Sequence, residues 1–339
     1  MAFKRLDQED ISISAESVVA PLWSTGVTEL TSFFTSSGQV AANTGDFYFQ
    51  IFQDNPTSVS TANPPKVQFD IAYGHKLGSG SIRYNAEVEG KSPTSTIYGQ
   101  YRSLIYGDEE ADFVFGTEES DSIYVINYER ARYKEKLFPG SFNLKLTNGS
   151  DSLELTDNSK QVSTVSYADG GRIYDIISGS NGTGATVIGV SGDPIIYGKF
   201  LPDIGVVVLN GDQLDENGTN KGINLGTVFT TSSQAENIGK FYDVIKAGDS
   251  TTLQSEETIS SNYVFVRVRN SEFNYSTNPS NITSSGELKW DVMINTPQAY
   301  VTTVGLYNDS NDLLAVAKLS RPLLKDFTKE ALVRIKLDY

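Results

Sequence analysis

"TVGLYNDSNDLLAVAKLSRP", Thr303 to Pro322, decides the fold class. Two apolar runs flank the polar cluster Asn308–Asp312. Asn and Asp bond their own main chain and tolerate left-handed backbone, so the cluster reads as a tight loop. The flanking runs hold valine, leucine and tyrosine in strand-sized lengths, and the whole reads as a hairpin. Beyond Pro322 comes a last alternating segment, "ALVRIKLDY". In it Ala331, Val333, Ile335, Leu337 and Tyr339 oppose Arg334, Lys336 and Asp338. A period of two means a strand packed on one side and wet on the other.

The same reading extends outward. In "VQFDIAY", Val67, Phe69, Ile71 and Tyr73 share one face against Gln68 and Asp70; in "LKWDVMI", Leu288, Trp290, Val292 and Ile294 share one against Lys289 and Asp291. Less regular runs occur at "DFYFQIFQ", "SIYVINY", "FNLKLT" and "YVFVRVR". Phe138-Pro139-Gly140-Ser141 has proline and glycine where a type II turn needs them. Asn148-Gly149 and Asn210-Gly211 read as tight-turn pairs. One helix is expected near 234–247: Ser233 and Glu236 form a capping box, Ala235, Ile238, Phe241 and Ile245 follow at helical spacing, and Gly248 suits the stop. A shorter helix is expected over Leu324–Lys329, and Arg130–Lys136 reads either way.

The expected fold is therefore mainly β, with antiparallel sheets or a β-sandwich, in two β-rich domains with one or two short helices. Residues 1–22 read as an extended N-terminal arm in which Ile11 and Ile13 alternate with serines. The polar, serine-rich stretch 151–171 suggests a division into domains 23–155 and 165–339.

The 339 residues include no cysteine and a single histidine, His75. Disulfides and thiol chemistry are excluded, and histidine-dependent catalysis would rest on one side chain. The formal net charge of −15 argues against nucleic acid and anionic membranes as partners. "MAFKRLDQED" places acids where a signal peptide needs an apolar stretch, and no apolar run reaches membrane-spanning length.

Few residues suggest chemistry. Asp108, Glu109, Glu110, Asp112, Glu118, Glu119 and Asp121 form the densest charge cluster. It reads first as a solvated acidic loop, then as a hard-cation site or as paired carboxylates of a polysaccharide hydrolase. His75 lies among Gly74, Gly78 and Gly80, which match no phosphate-binding pattern, and reads as a loop histidine. Arg130, Arg132, Lys134 and Lys136 would share one side of an extended chain beside Tyr133, a stripe suited to docking on an acidic subunit. These five residues, with Ile11 and Ile13 of the arm, are the candidate subunit interface; the arm would pair with a neighbour's sheet edge. No catalytic residue, metal ligand or cofactor is called for.

Four segments carry a resemblance: "YERARYKEKLFPGSFNLKL" (128–146), "IIYGKFLPDIGVVVLNGDQLD" (195–215), "FVRVRNSEFNYSTNPS" (265–280) and the run from Thr302 to Tyr339. Together they resemble a virion structural protein of contractile-tailed bacteriophages, the T-even-like phages of marine cyanobacteria. "VGLYNDSNDLLAVAK" is also similar to a strand–turn–strand near the attachment ends of tail-fibre proteins. The resemblance implies a β-rich, non-enzymatic baseplate wedge subunit, present in several symmetric copies, bound to other tail proteins and assembled in the host cytoplasm. It transfers no functional residue. The alternative it leaves open is a fibre-linked module that recognises host glycans.

Overall fold

The computed structural model describes residues 6, 8–22, 27–35, 48–56, 64–80, 92–184, 187–189, 192–229 and 234–338. The protein is mainly β, and every strand pairing with a resolved register is antiparallel. The strands, in chain order, are β1 Ile11–Pro21, β2 Thr28–Leu30, β3 Tyr48–Phe52, β4 Val67–His75, β5 Phe113–Phe115, β6 Glu118–Ser120, β7 Ser122–Tyr128, β8 Lys136–Leu137, β9 Asn143–Asn148 and β10 Asp151–Asp157. They continue as β11 Ser166–Ala168, β12 Gly171–Ser180, β13 Thr183–Gly184, β14 Gly198–Leu201, β15 Val206–Asn210, β16 Thr251–Leu253, β17 Ser255–Val268, β18 Gln298–Tyr307, β19 Leu313–Asp326 and β20 Ala331–Asp338. The α-helices are α1 Pro93–Tyr106, α2 Gly211–Asp215, α3 Gln234–Gly248 and α4 Asp291–Asn295.

The chain divides into two units, Ala20–Glu257 and a smaller one built from residues 1–19 with Thr258–Tyr339. The expected boundary between 155 and 165 is corrected. Residues on both sides of it lie in one sheet, where β9 pairs with β10 and β10 with β12. A polar stretch can mark a sheet's exposed loops as readily as a linker.

The larger unit is organised on a sheet ordered β2-β16-β9-β10-β12-β14-β15-β7-β4-β3, with β11 and β13 attached to β12. Tyr124, Ile126, Val207 and Leu209 point into one core with Ile238, Phe241 and Ile245 of α3. Ile123, Val125, Val206 and Val208 point into a second core with Tyr98 and Ile105 of α1 and with Phe113 and Phe115. Strands covered on both faces need apolar side chains at every position, hence "VVVL" in β15. The wet face expected for β4 is corrected likewise: Gln68 is buried and Asp70 half-buried.

Helix α1 escaped the sequence reading because Thr94, Ser95, Thr96 and Gly99 dilute its apolar spacing. Its ends are nonetheless well marked. Pro93 occupies the first turn, and Gly107, at φ +66°, donates its N–H to the Ser103 carbonyl at 2.9 Å. The Tyr98 hydroxyl donates to the Ser120 carbonyl (2.9 Å) and accepts from the Phe113 N–H (3.1 Å), tying α1 to the β5–β6 hairpin. Tyr98→Phe strands a buried donor and acceptor and is expected to cost about 1–3 kcal/mol. Denaturant unfolding measures the loss, and faster amide exchange at residues 113–120 should accompany it.

Local turn chemistry mostly follows expectation. Gly140 takes φ +83°, Ser141 N–H bonds the Phe138 carbonyl, and the buried Asp157 carboxylate accepts the Gly140 N–H. Asn210-Gly211 instead opens α2, with Asn210 Oδ1 capping the Gln213 N–H at 3.1 Å. Helix α3 forms where expected, although Ser233 lies outside the described residues. Its stop is Asp249, at φ +57°, rather than Gly248.

In the smaller unit β1, β17 and β20 make a sheet in that order, and β18 with β19 makes a two-stranded ribbon. Val264, Val266, Val333 and Ile335 form the core, with Val304, Leu306, Ala317, Leu319 and Leu323 of the ribbon packed against it. The alternation expected in "ALVRIKLDY" is borne out over Ala331–Asp338 by β20, and Tyr339 lies outside the described residues. The hairpin loop is as expected: Asn308 Oδ1 accepts the Asp312 N–H at 2.7 Å, and Asn311 takes φ +63°.

Two expectations fail here. "LKWDVMI" contains α4, with Ile294 and Thr296 N–H groups bonded to Trp290 and Val292 carbonyls; among the described residues no long strand lies beside it to satisfy an extended backbone. Leu324–Lys329 is the end of β19 and a turn. Lys325 fixes it, fully buried, with Nζ donating to Asn270 O (3.1 Å), Asn274 Oδ1 (2.8 Å) and Asp326 O (3.0 Å). Those three acceptors use all its donors, and burial pulls its pKa down.

Candidate interaction surface

The residues expected to form a cationic stripe do not. Arg130–Arg132 turn into a 3-10 helix through Arg132 N–H to Glu129 O, which removes the alternation an extended chain would give. Each side chain then takes a separate task. The Arg130 guanidinium lies 4.9 Å from the Tyr133 ring centre, and Tyr133 is buried. Arg132 Nε donates to the Val67 carbonyl at 2.7 Å. Lys136 lies 3.4 Å from Asp203, while Arg130 and Lys134 are exposed. Through Arg132 and Lys136 the cluster ties elements of the larger unit to one another.

The arm is corrected in a similar way. Instead of waiting for a neighbour, β1 pairs with β17 of its own chain. Ile11 and Ile13 nevertheless remain exposed, at 40% and 67%.

The acidic segment 108–121 is a hairpin with a buried apolar side. Phe113 and Phe115 enter the second core, while Lys76 pairs with Asp112 at 2.7 Å and with Asp121 at 3.8 Å. Glu118 and Glu119 border a cavity of about 310 Å³ whose walls also include Phe115, Ile195, Ile196, Asp193, Asp212 and Glu216. Burial pushes the Asp212 carboxyl up, opposed by the Ser120 hydroxyl that donates to it at 2.8 Å. Among the described residues no three histidine or carboxylate side chains converge as a metal site. Nor is any helix among them long and apolar enough to cross a membrane.

His75 ends strand β4 and is buried, rather than lying in an open loop. Its Nδ1 accepts the Leu77 N–H at 3.2 Å and the Ser79 N–H at 3.4 Å, which requires that nitrogen to be unprotonated. Burial lowers its pKa, although Asp121 opposes the shift. A depressed folded-state pKa gives stability that is present above the ordinary value of about 6.5 and lost as pH falls through the folded value. Because the chain has one histidine, wild type should lose more stability than His75→Gln between about pH 7 and pH 5. Parallel urea midpoints across that range would disprove this.

Outward-facing apolar side chains gather in the smaller unit. The exposed side of the ribbon presents Tyr300 at 64%, Val316 at 58% and Leu314 at 68%, and α4 presents Trp290 at 57% and Val292 at 74%. The ribbon has two faces; its inner one covers the core while its outer one keeps large apolar groups in water. Sequence reading found the hairpin but not this surface, since alternation alone does not say that both faces are apolar.

Comparison with known protein families, curated proteins and solved structures finds no match for this chain.

Proposed function

We propose that this chain is a non-enzymatic structural subunit of a bacteriophage contractile tail, a baseplate wedge component that binds neighbouring tail proteins. The sequence resemblance supplies the identity. The observation that carries the role is the outer face of the β18–β19 ribbon, because exposed apolar groups gathered on one rigid element mark interaction surfaces. The charged residues of the larger unit favour the same reading. Arg172, Asp203, Glu256 and Lys136 serve one another, and the buried Asp157 serves a turn.

In this role the protein sits in the virion after assembly in the host cytoplasm, in several symmetric copies. Labelled antibody against the purified chain should decorate the tail end of phage particles. Decoration of the capsid, or absence of the chain from finished particles, overturns the proposal. Turnover of a cell-wall polysaccharide by the purified chain would do the same.

A further inference from the structure

We propose that the free edge of β18 docks an extended, acidic segment of a partner protein, which joins the ribbon as a further strand. The inference deepens the reading of the chain as an assembly subunit and names the chemistry of one partner.

Among its described residues the smaller unit has four edge strands, and three are protected. β1 carries Glu16 and ends on Pro21, while β20 alternates Arg334, Lys336 and Asp338 along its wet face. β19 carries Lys318, Arg321 and Pro322, and its register is broken twice. Leu319–Pro322 stand opposite Thr302 alone, and Leu314 is the extra residue at the second break, so both irregularities place surplus chain on β19. Charges, proline and bulges are the usual means of stopping a sheet edge from recruiting another strand. From Gln298 to Leu306, β18 has none of them: no charged residue, no proline and no surplus residue. Among the described residues only β19 pairs with it.

Charge selects the partner. Of 27 basic and 42 acidic residues, Ala20–Glu257 holds 16 and 30, a net −14. The smaller unit holds the remaining 11 and 12, a net −1, so an acidic partner meets least repulsion there. On the strands of the ribbon's exposed face the charges are Lys318 and Arg321, and its two exposed aspartates, Asp309 and Asp312, lie at the loop end. Lys318 stands opposite Thr303, a small exposed residue across which its ammonium can reach the edge of β18, while the Tyr307 ring covers Gly305. Val301, Val304 and Leu306 are half-buried on the inner side, where an added strand would extend the apolar layer. The fitting segment therefore alternates apolar and acidic residues.

The test uses the whole protein and a short synthetic peptide alternating valine and glutamate, with a valine–lysine peptide as its counterpart. Fluorescence anisotropy should show the glutamate peptide bound and the lysine peptide weaker by about tenfold. Amide exchange at residues 298–306 should slow on binding. The variant K318E/R321E leaves the core untouched and should reverse the preference. Overturning results are an unchanged exchange rate with the glutamate peptide, or equal binding of both peptides. Concentration-dependent self-association that protects residues 298–306 without peptide would assign the edge to a second copy and also overturn the proposal. Antibody decoration of particles is independent of all these outcomes, so this inference and the assigned role can fail separately.

Discussion

Replacing Gly248 with alanine is expected to lower the unfolding midpoint, whereas the same change at Gly239, in the same helix, is expected to raise it. Intrinsic preference treats the two alike: alanine in a helix interior is favoured over glycine by about 1 kcal/mol. Their surroundings do not. A Cβ at Gly239 meets nothing within 4 Å, but one at Gly248 would lie 1.9 Å from the Lys145 carbonyl oxygen and 2.6 Å from its carbon. The obstacle is backbone, held on its far side by the pairing of β9 with β10, so no rotamer change relieves it. Helix α3 must lift from β9, exposing the contacts of Phe241 and Ile245. Overpacking of this kind reaches about 3 kcal/mol, which outweighs the propensity gain and leaves a net loss of about 2 kcal/mol. For a unit of this size that is a fall of about 4–8 °C in Tm. A rise for both variants would show that the helix end yields freely.

Arg172→Met should be at least as damaging. The guanidinium forms a two-bond fork with Glu256, at 3.0 and 2.7 Å, and donates to Asp203 from Nε at 3.0 Å and from a terminal nitrogen at 2.7 Å. The Glu256 side chain is 2% exposed, so losing its partner leaves a carboxylate without compensation inside the protein. The expected cost is about 3–5 kcal/mol, while R172M/E256L, which removes both charges, should recover much of it. Burial pushes the Asp203 carboxyl up, but the hydrogen bonds and charge of Arg172 outweigh that and hold it below the ordinary value. Stability from a lowered carboxylate is present above the unfolded pKa and lost as pH falls through the folded one. Wild type and Arg172→Met should accordingly converge in stability below about pH 4. If the double variant proved no better than the single one, the damage would come from lost packing rather than from a stranded charge.

The strands most legible in the sequence were those with one covered face. β20 and the β18–β19 hairpin alternate because water touches every second residue, and Asn308 and Asn311 supply the loop. β4 was found, but Gln68 and Asp70 disguised a strand covered on both sides, since Gln68 is buried with its amide donating to the Thr31 and Ser32 carbonyls and Asp70 is only half-buried. α1 was missed because helices held by a few large anchors, Tyr98 and Ile105, need no continuous stripe. The basic cluster misled for a geometric reason: Arg130 to Lys136 align only if extended, and one Glu129–Arg132 hydrogen bond curls the chain. The division into units was hidden because it joins residues far apart in sequence. The exposed ribbon face was not legible in the sequence, as period-two patterning does not say which side meets water.

That same joining sets an order of events during translation. β1 is complete at Pro21, but its partner β17 begins at Ser255 and β20 follows at Ala331. At ribosomal speeds of about 5–20 residues per second, β1 emerges roughly 10–50 s before β17, the strand it pairs with. Throughout that interval Ile11, Ile13, Val18 and Val19 travel on a nascent, unmatched strand, a natural client for a chaperone waiting near the exit tunnel.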